Sequence, residues 1–295
     1  MVKIIIHGGN AHLDDFLSTC IVLYKEDNID IIYRRDPTIE ELNNSFDWKI
    51  DIGEEFNPWK RQFDHHLSKF PEIENLSFNV DVLFDCSLSL LLKYYNIWRE
   101  ANEVYKWIHV VVMNDCRGSK YVEDILFINR DIVKSLESFI ERSILTIFEN
   151  KEVIEKESSL FKLMKFTGKL FFDGINDYFE MIKTVNKHAE IFVIKDVVII
   201  KYLHKPHYSK PLMRVLVSKK REWYPSDIGG IVIFPNQRPI GSIGLNRLND
   251  DPRVDFRNIK DYDKLIFAHH SGFFAVVSSD ISDDELKLYI EDSIK

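Results

Sequence analysis

The stretch Lys3-Ile4-Ile5-Ile6-His7-Gly8-Gly9-Asn10-Ala11-His12-Leu13-Asp14-Asp15-Phe16-Leu17 decides how the first third of this chain folds. Lys3–His7 is a short β-branched run that ends on glycines, the pattern of a buried strand. Phe16, Leu17, Cys20, Ile21 and Tyr24 then recur at spacings of one, three and four, which marks one apolar helix face. Ile29–Arg34 and Trp48–Gly53 repeat the strand pattern, and Thr38–Asn43 fits a short helix after the breaker Pro37. A β-α-β-α-β order argues for a parallel sheet covered by helices. In such a sheet the C-terminal ends of the strands share one edge, where ligand sites form. His7 and Asp51 fall at two of those ends, with glycines beside them that permit close backbone approach.

Beyond this core, helices are expected at Ser87–Tyr95 and Asn102–Met113. From Asp131 to Lys187 the pattern turns continuously helical, with Ile132, Leu136, Phe139, Ile140, Ile144, Ile147 and Phe148 in one stripe. After Ala189 strands return at Ile191–Ile194, Val197–Tyr202, Gly230–Phe234, Ile240–Leu245 and Leu265–His269. A last helix, Asp283–Ile294, opens with Ser282 as N-cap. Ser209–Arg221 reads equally as helix or strand. The expected fold is α/β: a parallel sheet covered by helices over 1–150, a helical linker over 151–188, and a smaller α/β domain with a mixed sheet over 189–295.

The 295 residues fit two domains at a prior of about 150 residues each. No apolar run approaches the roughly 18 residues that a membrane span requires, and the N-terminal run is too quickly polar for a secretory signal. Three cysteines, Cys20, Cys86 and Cys116, are odd in number and lack CxxC spacing, so a reduced cytoplasmic setting is the default. With 39 Lys and Arg against 47 Asp and Glu, net charge is −8. The surface as a whole therefore does not attract nucleic acid, and a polyanionic substrate would need local positive patches or bound cations.

Four clusters carry chemistry: His7 to Asp15, Asp51-Ile52-Gly53, Phe63-Asp64-His65-His66, and Asn114-Asp115 after a helix expected to end near Met113. Each has an ordinary reading. A strand-end histidine is more often a hydrogen-bonded structural residue, Asp14 and Asp15 would favour a helix N-terminus through its macrodipole, and Asp51-Ile52-Gly53 alone fits a turn. All four clusters falling near strand or helix ends argues for convergence. Hydrolysing a phosphodiester requires charge neutralisation, a nucleophile near neutral pH and help for the departing alkoxide, which two divalent cations about 3.5–4 Å apart supply. Aspartates and imidazoles suit Mn²⁺-like ions without thiolates. Asp64 is placed to orient the ring of a neighbouring histidine.

Taken together, Asp64-His65-His66, preceded by His7, Asp14 and Asp51, resembles the DHH phosphoesterase superfamily, which includes RecJ-type nucleases, small-oligonucleotide phosphodiesterases and manganese pyrophosphatases. Within it the pattern is most similar to the Myg (melanocyte proliferating gene) exonuclease family. That family's opening His-Asn-Gly-x-Phe-His-x-Asp-Glu is matched by His7, Gly9, His12 and Asp14, with Asp15 in place of the glutamate. Arg35-Asp36-Pro37, Asp51-Ile52-Gly53, Phe63–His66 and Phe267-Ala268-His269-His270-Ser271-Gly272-Phe273 match its later motifs in order. Glu54, Leu67, Cys116-Arg117 and Phe274-Ala275-Val276 depart from it.

The resemblance implies metal ligation by His7, His12, Asp14, Asp51, His65 and Asp115, with two Mn²⁺ or Mg²⁺ ions and Asp51 bridging them. It implies catalytic roles for His66, Asp64 and Asp51, with His66 as phosphate contact or leaving-group acid. Substrate binding would fall to Arg35, His269, Ser271 and Gly272, joined by Lys219, Lys220 and Arg221 from a basic stretch. That stretch also includes Lys195, Lys201, Lys205, Lys210 and Arg214, and Tyr202, Tyr208 and Trp223 lie among these as base-stacking candidates. A solvated face is the plain alternative for it. The activity expected is that of a metal-dependent hydrolase, a 3′–5′ exonuclease on single-stranded RNA or DNA or on short oligonucleotides. A small-substrate phosphatase or cyclic-dinucleotide phosphodiesterase, and a non-catalytic binding module, are the alternatives.

Overall fold

Ile4, Ile5 and Ile6 are fully buried, and a strand buried on both faces belongs in the middle of a covered sheet. The computed structural model describes residues 2–66, 84–127, 129, 138–204, 215–216 and 229–295. It places β1 (Val2–Ile6) between β2 (Ile29–Arg34) and β3 (Trp48–Ile50), parallel to both. The links are α1 (Leu13–Lys25) and α2 (Ile39–Asn43). α1 buries Phe16, Leu17, Cys20 and Ile21 as its spacing required. α2 starts at a reciprocal cap: Glu41 N–H donates to Thr38 Oγ1 and Thr38 N–H to Glu41 Oε2. β5 (Gln62–Phe63) extends the parallel set beside β3. Antiparallel β4 (Phe56–Asn57) and β6 (Val153–Glu155) close the edges, giving the order β4-β5-β3-β1-β2-β6.

The register positions the site. Ile6 lies opposite Ile50 and Arg34, and Ile50 lies opposite Phe63. The next residues along the chain, His7, Asp51 and Asp64, therefore leave the sheet on one edge. Asp51 turns there with φ 54°, a left-handed conformation in which Asp and Asn are tolerated better than most residues. Behind that edge, Lys49 is fully buried, and its ammonium donates to the carbonyls of Asn44 (2.6 Å), Asp47 (3.1 Å) and Lys60 (2.7 Å). Burial pulls the Lys49 pKa down to about 8, and the three carbonyls fill its donor capacity.

Two expectations about the helices change. The segment read as one helix over Asn102–Met113 is broken: α4 (Trp98–Val104) stops at Tyr105, and α5 (Ile108–Leu126) starts afresh and runs on, kinked at Gly118. Asp115 thus sits inside a helix and not after one. The unbroken helical pattern read from Asp131 to Lys187 is also interrupted. α3 (Ser87–Tyr94) forms as expected. Residues 131–137 lie outside the described residues, and after them α6 (Phe139–Glu149) and α7 (Ser159–His188) form with β6 between the two. Only Ile154 of that strand is buried, too short a signal for a period to register.

The chain divides into two compact units, Met1–Ile175 and Asn176–Lys295, with α7 running through the division. The second holds β7 (Glu190–Ile194), β8 (Val197–Lys201), β9 (Gly230–Gln237), β10 (Ile240–Leu248), β11 (Leu265–Ala268), β12 (Phe274–Val277) and α8 (Asp283–Ser293). Strand order is β11-β12-β10-β9-β8-β7. Only β8 and β9 run parallel, so the sheet is mixed as expected. Ile199, Ile231, Ile233, Leu245 and Val277 pack with Tyr289 and Ile290 of α8, which begins at a Ser282–Glu285 capping box. β12 had no place in the sequence reading. The fold class, α/β with a helix-covered parallel sheet first and a mixed sheet second, is as expected.

Candidate metal centre

His7 donates from Nδ1 to the Gly8 carbonyl at 2.7 Å, because a carbonyl can only accept. That fixes the tautomer and turns Nε2 toward two carboxylates, Asp15 Oδ2 at 2.9 Å and Asp51 Oδ2 at 3.5 Å. A lone pair facing two acceptors is unfavourable unless a proton or a cation lies between them. The same conflict recurs at His65, whose Nε2 lies 3.0 Å from Asp115 Oδ2 and 3.3 Å from Asp51 Oδ1. None of these contacts is an aligned hydrogen bond. Among the described residues, both Asp15 oxygens, Asp51 Oδ1, His65 Nε2 and Asp115 Oδ2 are buried without a hydrogen-bond partner. Buried polar atoms are normally satisfied, and five orphans meeting at one sheet edge fit a place for cations.

The donors fall into three overlapping groups, in each of which the ligand atoms lie within 4.8 Å of one another: Asp51, His65 and His66; His65, Asp115 and Cys116; and His12, Asp14 and Asp115. α1 contributes Asp14 and Asp15 from its buried first turn, with exposed His12 as its N-cap residue. α5 contributes Asp115, 3.9 Å from His12 Nδ1. Arg34, buried beneath, ties the loop down by donating to the Gly9 carbonyl at 3.1 Å and the Phe148 carbonyl at 3.2 Å. Asp64 touches the group through His66: it accepts from His66 Nδ1 (2.7 Å), the His66 amide (3.0 Å) and the Glu54 amide (2.6 Å).

The charges respond as physics requires. Burial pushes Asp14 well above the usual carboxylate range, reinforced by Asp115, Asp51 and Asp15, although Ser87 Oγ donates to it at 3.0 Å. Burial raises Asp15 as well. The Asp15 contact, against opposing burial, lifts His7 to about 9. Burial opposes protonation of His65, but Asp115 and Asp51 outweigh it and push the imidazole up to about 12. Burial likewise opposes ionisation of Asp64, yet its bonds from His66 and Glu54 hold it below the ordinary range. The Cys116 thiol is drawn down to about 6, first by its Cys86 neighbour and then by His65. Without cations, this edge holds its carboxylates by retaining protons.

Of the residues expected to act, His7, His12, Asp14, Asp51, His65, His66 and Asp115 converge, with Asp64 behind His66. Arg35 does not join them: its guanidinium forks Glu41, with both bonds at 2.8 Å. His269, Ser271 and Gly272 form the tip of the β11–β12 hairpin in the second unit. There Ser271 N–H donates to His269 Nδ1 (3.1 Å) and Gly272 N–H to the His269 carbonyl (2.8 Å). Lys219, Lys220 and Arg221, with Lys205, Lys210, Arg214, Tyr208 and Trp223, lie outside the described residues. Lys195 and Lys201 are engaged by the Glu291 carbonyl and by Asp283. Tyr202 is buried in the core, which removes it as a stacking platform. Asp15 and Cys116 were missed as donors. The signals for the first are its adjacency to Asp14 and its place at the family's glutamate position, and Cys116 stands in the sequence only as a departure from the family pattern.

A helix-covered parallel sheet with imidazoles and carboxylates gathered at its strand ends is an α/β scaffold with candidate cation sites. Residues 3–97 match the model of the MYG1 exonuclease family, described as an uncharacterised protein family (UPF0160), so the resemblance read from the motifs is borne out over that stretch. Over 68 residues the chain is 35% identical to the MYG1 exonuclease of Mus musculus, a match covering 22% of this chain and 17% of that one. The matched stretch thus spans less than a fifth of that curated relative. Among solved structures the chain is similar to a DHH domain described as a member of a family of ribosomal proteins, at 12% identity and TM-score 0.37 over 99% of this chain and 86% of that one. It is also similar to the exonuclease RecJ bound to manganese, at 10% identity and TM-score 0.30 over 99% and 89%. For RecJ from Thermus thermophilus with Mn²⁺ the values are 12% and 0.28 over 98% and 51%. Among the described residues no helix is long and apolar enough to cross a membrane.

Proposed function

We propose that this chain is a metal-dependent phosphodiesterase, a 3′–5′ exonuclease on single-stranded RNA or DNA. Its two-cation centre is held by His7, His12, Asp14, Asp51, His65 and Asp115. The observation that carries this reading is the set of buried, partnerless carboxylate oxygens and the partnerless His65 ring nitrogen at the strand ends. Mn²⁺ or Mg²⁺ bound there would neutralise phosphate charge and activate water near neutral pH. Asp51, which approaches His7 through Oδ2 and His65 through Oδ1, is the carboxylate suited to span two ions. Asp64 holds His66 Nδ1, which leaves Nε2 free to give a proton to the departing oxygen. The Asp64 contact raises the His66 pKa, which favours the acid form that this role needs.

In the same reading the second unit grips the nucleic acid through the His269–Gly272 turn and the basic stretch around Lys219, Lys220 and Arg221. His269 Nδ1 accepts from Ser271, so a neutral ring carries its proton on Nε2, ready to donate to phosphate. The exonuclease name of the mouse relative supports the substrate class over the matched stretch. The net charge of −8 favours a second reading, a phosphodiesterase of small soluble substrates such as dinucleotides. Metal-loaded protein incubated with 5′-labelled and 3′-labelled oligonucleotides and with dinucleotides separates the two. A ladder shortening from the 3′ end supports the exonuclease, and cleavage of dinucleotides alone supports the second reading. Intact oligonucleotides and dinucleotides with either metal would refute both.

A further inference from the structure

Cys116 follows Asp115 on α5, and its Sγ lies within 4.8 Å of ligand atoms of both His65 and Asp115. The His65 side chain is nine-tenths buried, and its Nε2 has no hydrogen-bond partner, nor does Asp115 Oδ2. Asp51 Oδ1, almost wholly buried and also partnerless, lies 3.3 Å from the same nitrogen. A nitrogen, a carboxylate oxygen and a sulfur therefore bound one small polar space, with Asp51 on the far side of the His65 nitrogen. Metal–ligand bonds of about 2.0–2.3 Å place the ligands of one ion roughly 3–4 Å apart, a spacing that small side-chain shifts give to atoms already within 4.8 Å of one another.

We propose that Cys116 is a thiolate ligand, joining His65 and Asp115 to make one of the two cation positions a mixed nitrogen, oxygen and sulfur site. This rests on the metal-centre reading above and sharpens it, because the donor set selects the ion. Mg²⁺ is a hard ion that favours oxygen, whereas a thiolate beside an imidazole favours Zn²⁺, Co²⁺ or Fe²⁺. The two positions then differ in kind: the Cys116 position takes a borderline ion, and the position around His7, Asp14 and Asp51 keeps an imidazole and carboxylate shell suited to Mn²⁺. The thiolate form is the one that holds the ion. The Cys116-Arg117 departure from the family's Asp-Asn-Gly thereby acquires a chemical role.

The test is a Co²⁺ titration of the full chain under a phosphine reductant, with uptake followed by calorimetry and the sulfur-to-cobalt charge-transfer band followed in the near ultraviolet. The expected result is a band that saturates in the wild type and in Cys20→Ser and Cys86→Ser. It should be lost in Cys116→Ser, which still takes up Co²⁺ at its remaining donors. On the wild type alone, which removes any question of variant folding, saturating Zn²⁺ should slow alkylation of Cys116 by iodoacetamide about tenfold or more, read by peptide mass spectrometry. Co²⁺ uptake without a band, a band lost in Cys86→Ser but kept in Cys116→Ser, or alkylation indifferent to Zn²⁺ would overturn the thiolate ligand while leaving the metal centre standing. No Co²⁺ uptake by the wild type would remove the centre itself, and this inference with it.

Discussion

Loading the metal-free protein with Mn²⁺ at pH 8 should expel about two protons or more per chain. His7, with its pKa raised to about 9, is roughly nine-tenths protonated at that pH, and His65, raised to about 12, is wholly so. A cation can take their nitrogens only by displacing those protons. Asp14, held well above the usual carboxylate range by burial and by neighbouring carboxylates, adds to the count. The assay is isothermal titration calorimetry in non-chelating buffers of different ionisation enthalpy, where the slope of observed heat against buffer enthalpy gives the proton number. His7→Ala and His65→Ala should each lower the slope by about one. The same protons set a pH dependence of the metal-free fold. The folded pKa of His7 lies above its unfolded value, so its contribution is fully present below about pH 6.5 and is lost as pH rises through about 9. Metal affinity should rise across that window. A slope near zero for the wild type would refute this, because it would mean that the imidazoles are neutral before the ion arrives or never bind it.

Asp51→Asn should abolish hydrolysis while leaving circular dichroism unchanged, since asparagine also tolerates the left-handed turn at φ 54° but brings no charge; wild-type turnover in that variant would remove Asp51 from the site. Gly272→Ala should destabilise the second unit by about 1–3 kcal/mol in urea denaturation, because φ is 70° and a Cβ would collide with the Asp255 carboxylate; an unchanged midpoint would refute the strain. Neutralising Lys219, Lys220 and Arg221 together should weaken oligonucleotide binding and flatten its salt dependence while sparing bis-p-nitrophenyl phosphate hydrolysis, as fewer counterions are released. Equal loss of both would contradict the division of labour between the halves.

How far the sequence carries depends on the range of the forces involved. The bounds of β2, Ile29–Arg34, match the sequence reading to the residue, because a run rich in isoleucine and tyrosine ends there on Arg34-Arg35-Asp36-Pro37. His7 and Asp51 are legible for a related reason, since parallel strand order sends strand ends to one edge; His65 is legible only from the Asp64-His65-His66 motif. β4, β5, β6 and β12 are not legible, since two to four residues carry no period of their own. Asp115 was identified but misplaced, because the break at Tyr105 resets where α5 starts and leaves no glycine or proline to mark it. Asp15 and Cys116 became visible as donors only in three dimensions. Their contacts, to His7 and to His65, come from distant elements. Arg35 shows the opposite error: a motif position suggested phosphate, and the fold gave its fork to Glu41.

Metal removal and restoration decides whether the gathered imidazoles and carboxylates form a hydrolytic metal centre. The protein is stripped with EDTA, dialysed, and assayed on a labelled single-stranded oligonucleotide before and after Mn²⁺ is added back, with Asp51→Asn alongside. The expected result is no cleavage by the stripped protein, recovery with Mn²⁺ and weaker recovery with Mg²⁺, and none in the variant. Cleavage undiminished after EDTA and dialysis would contradict the account.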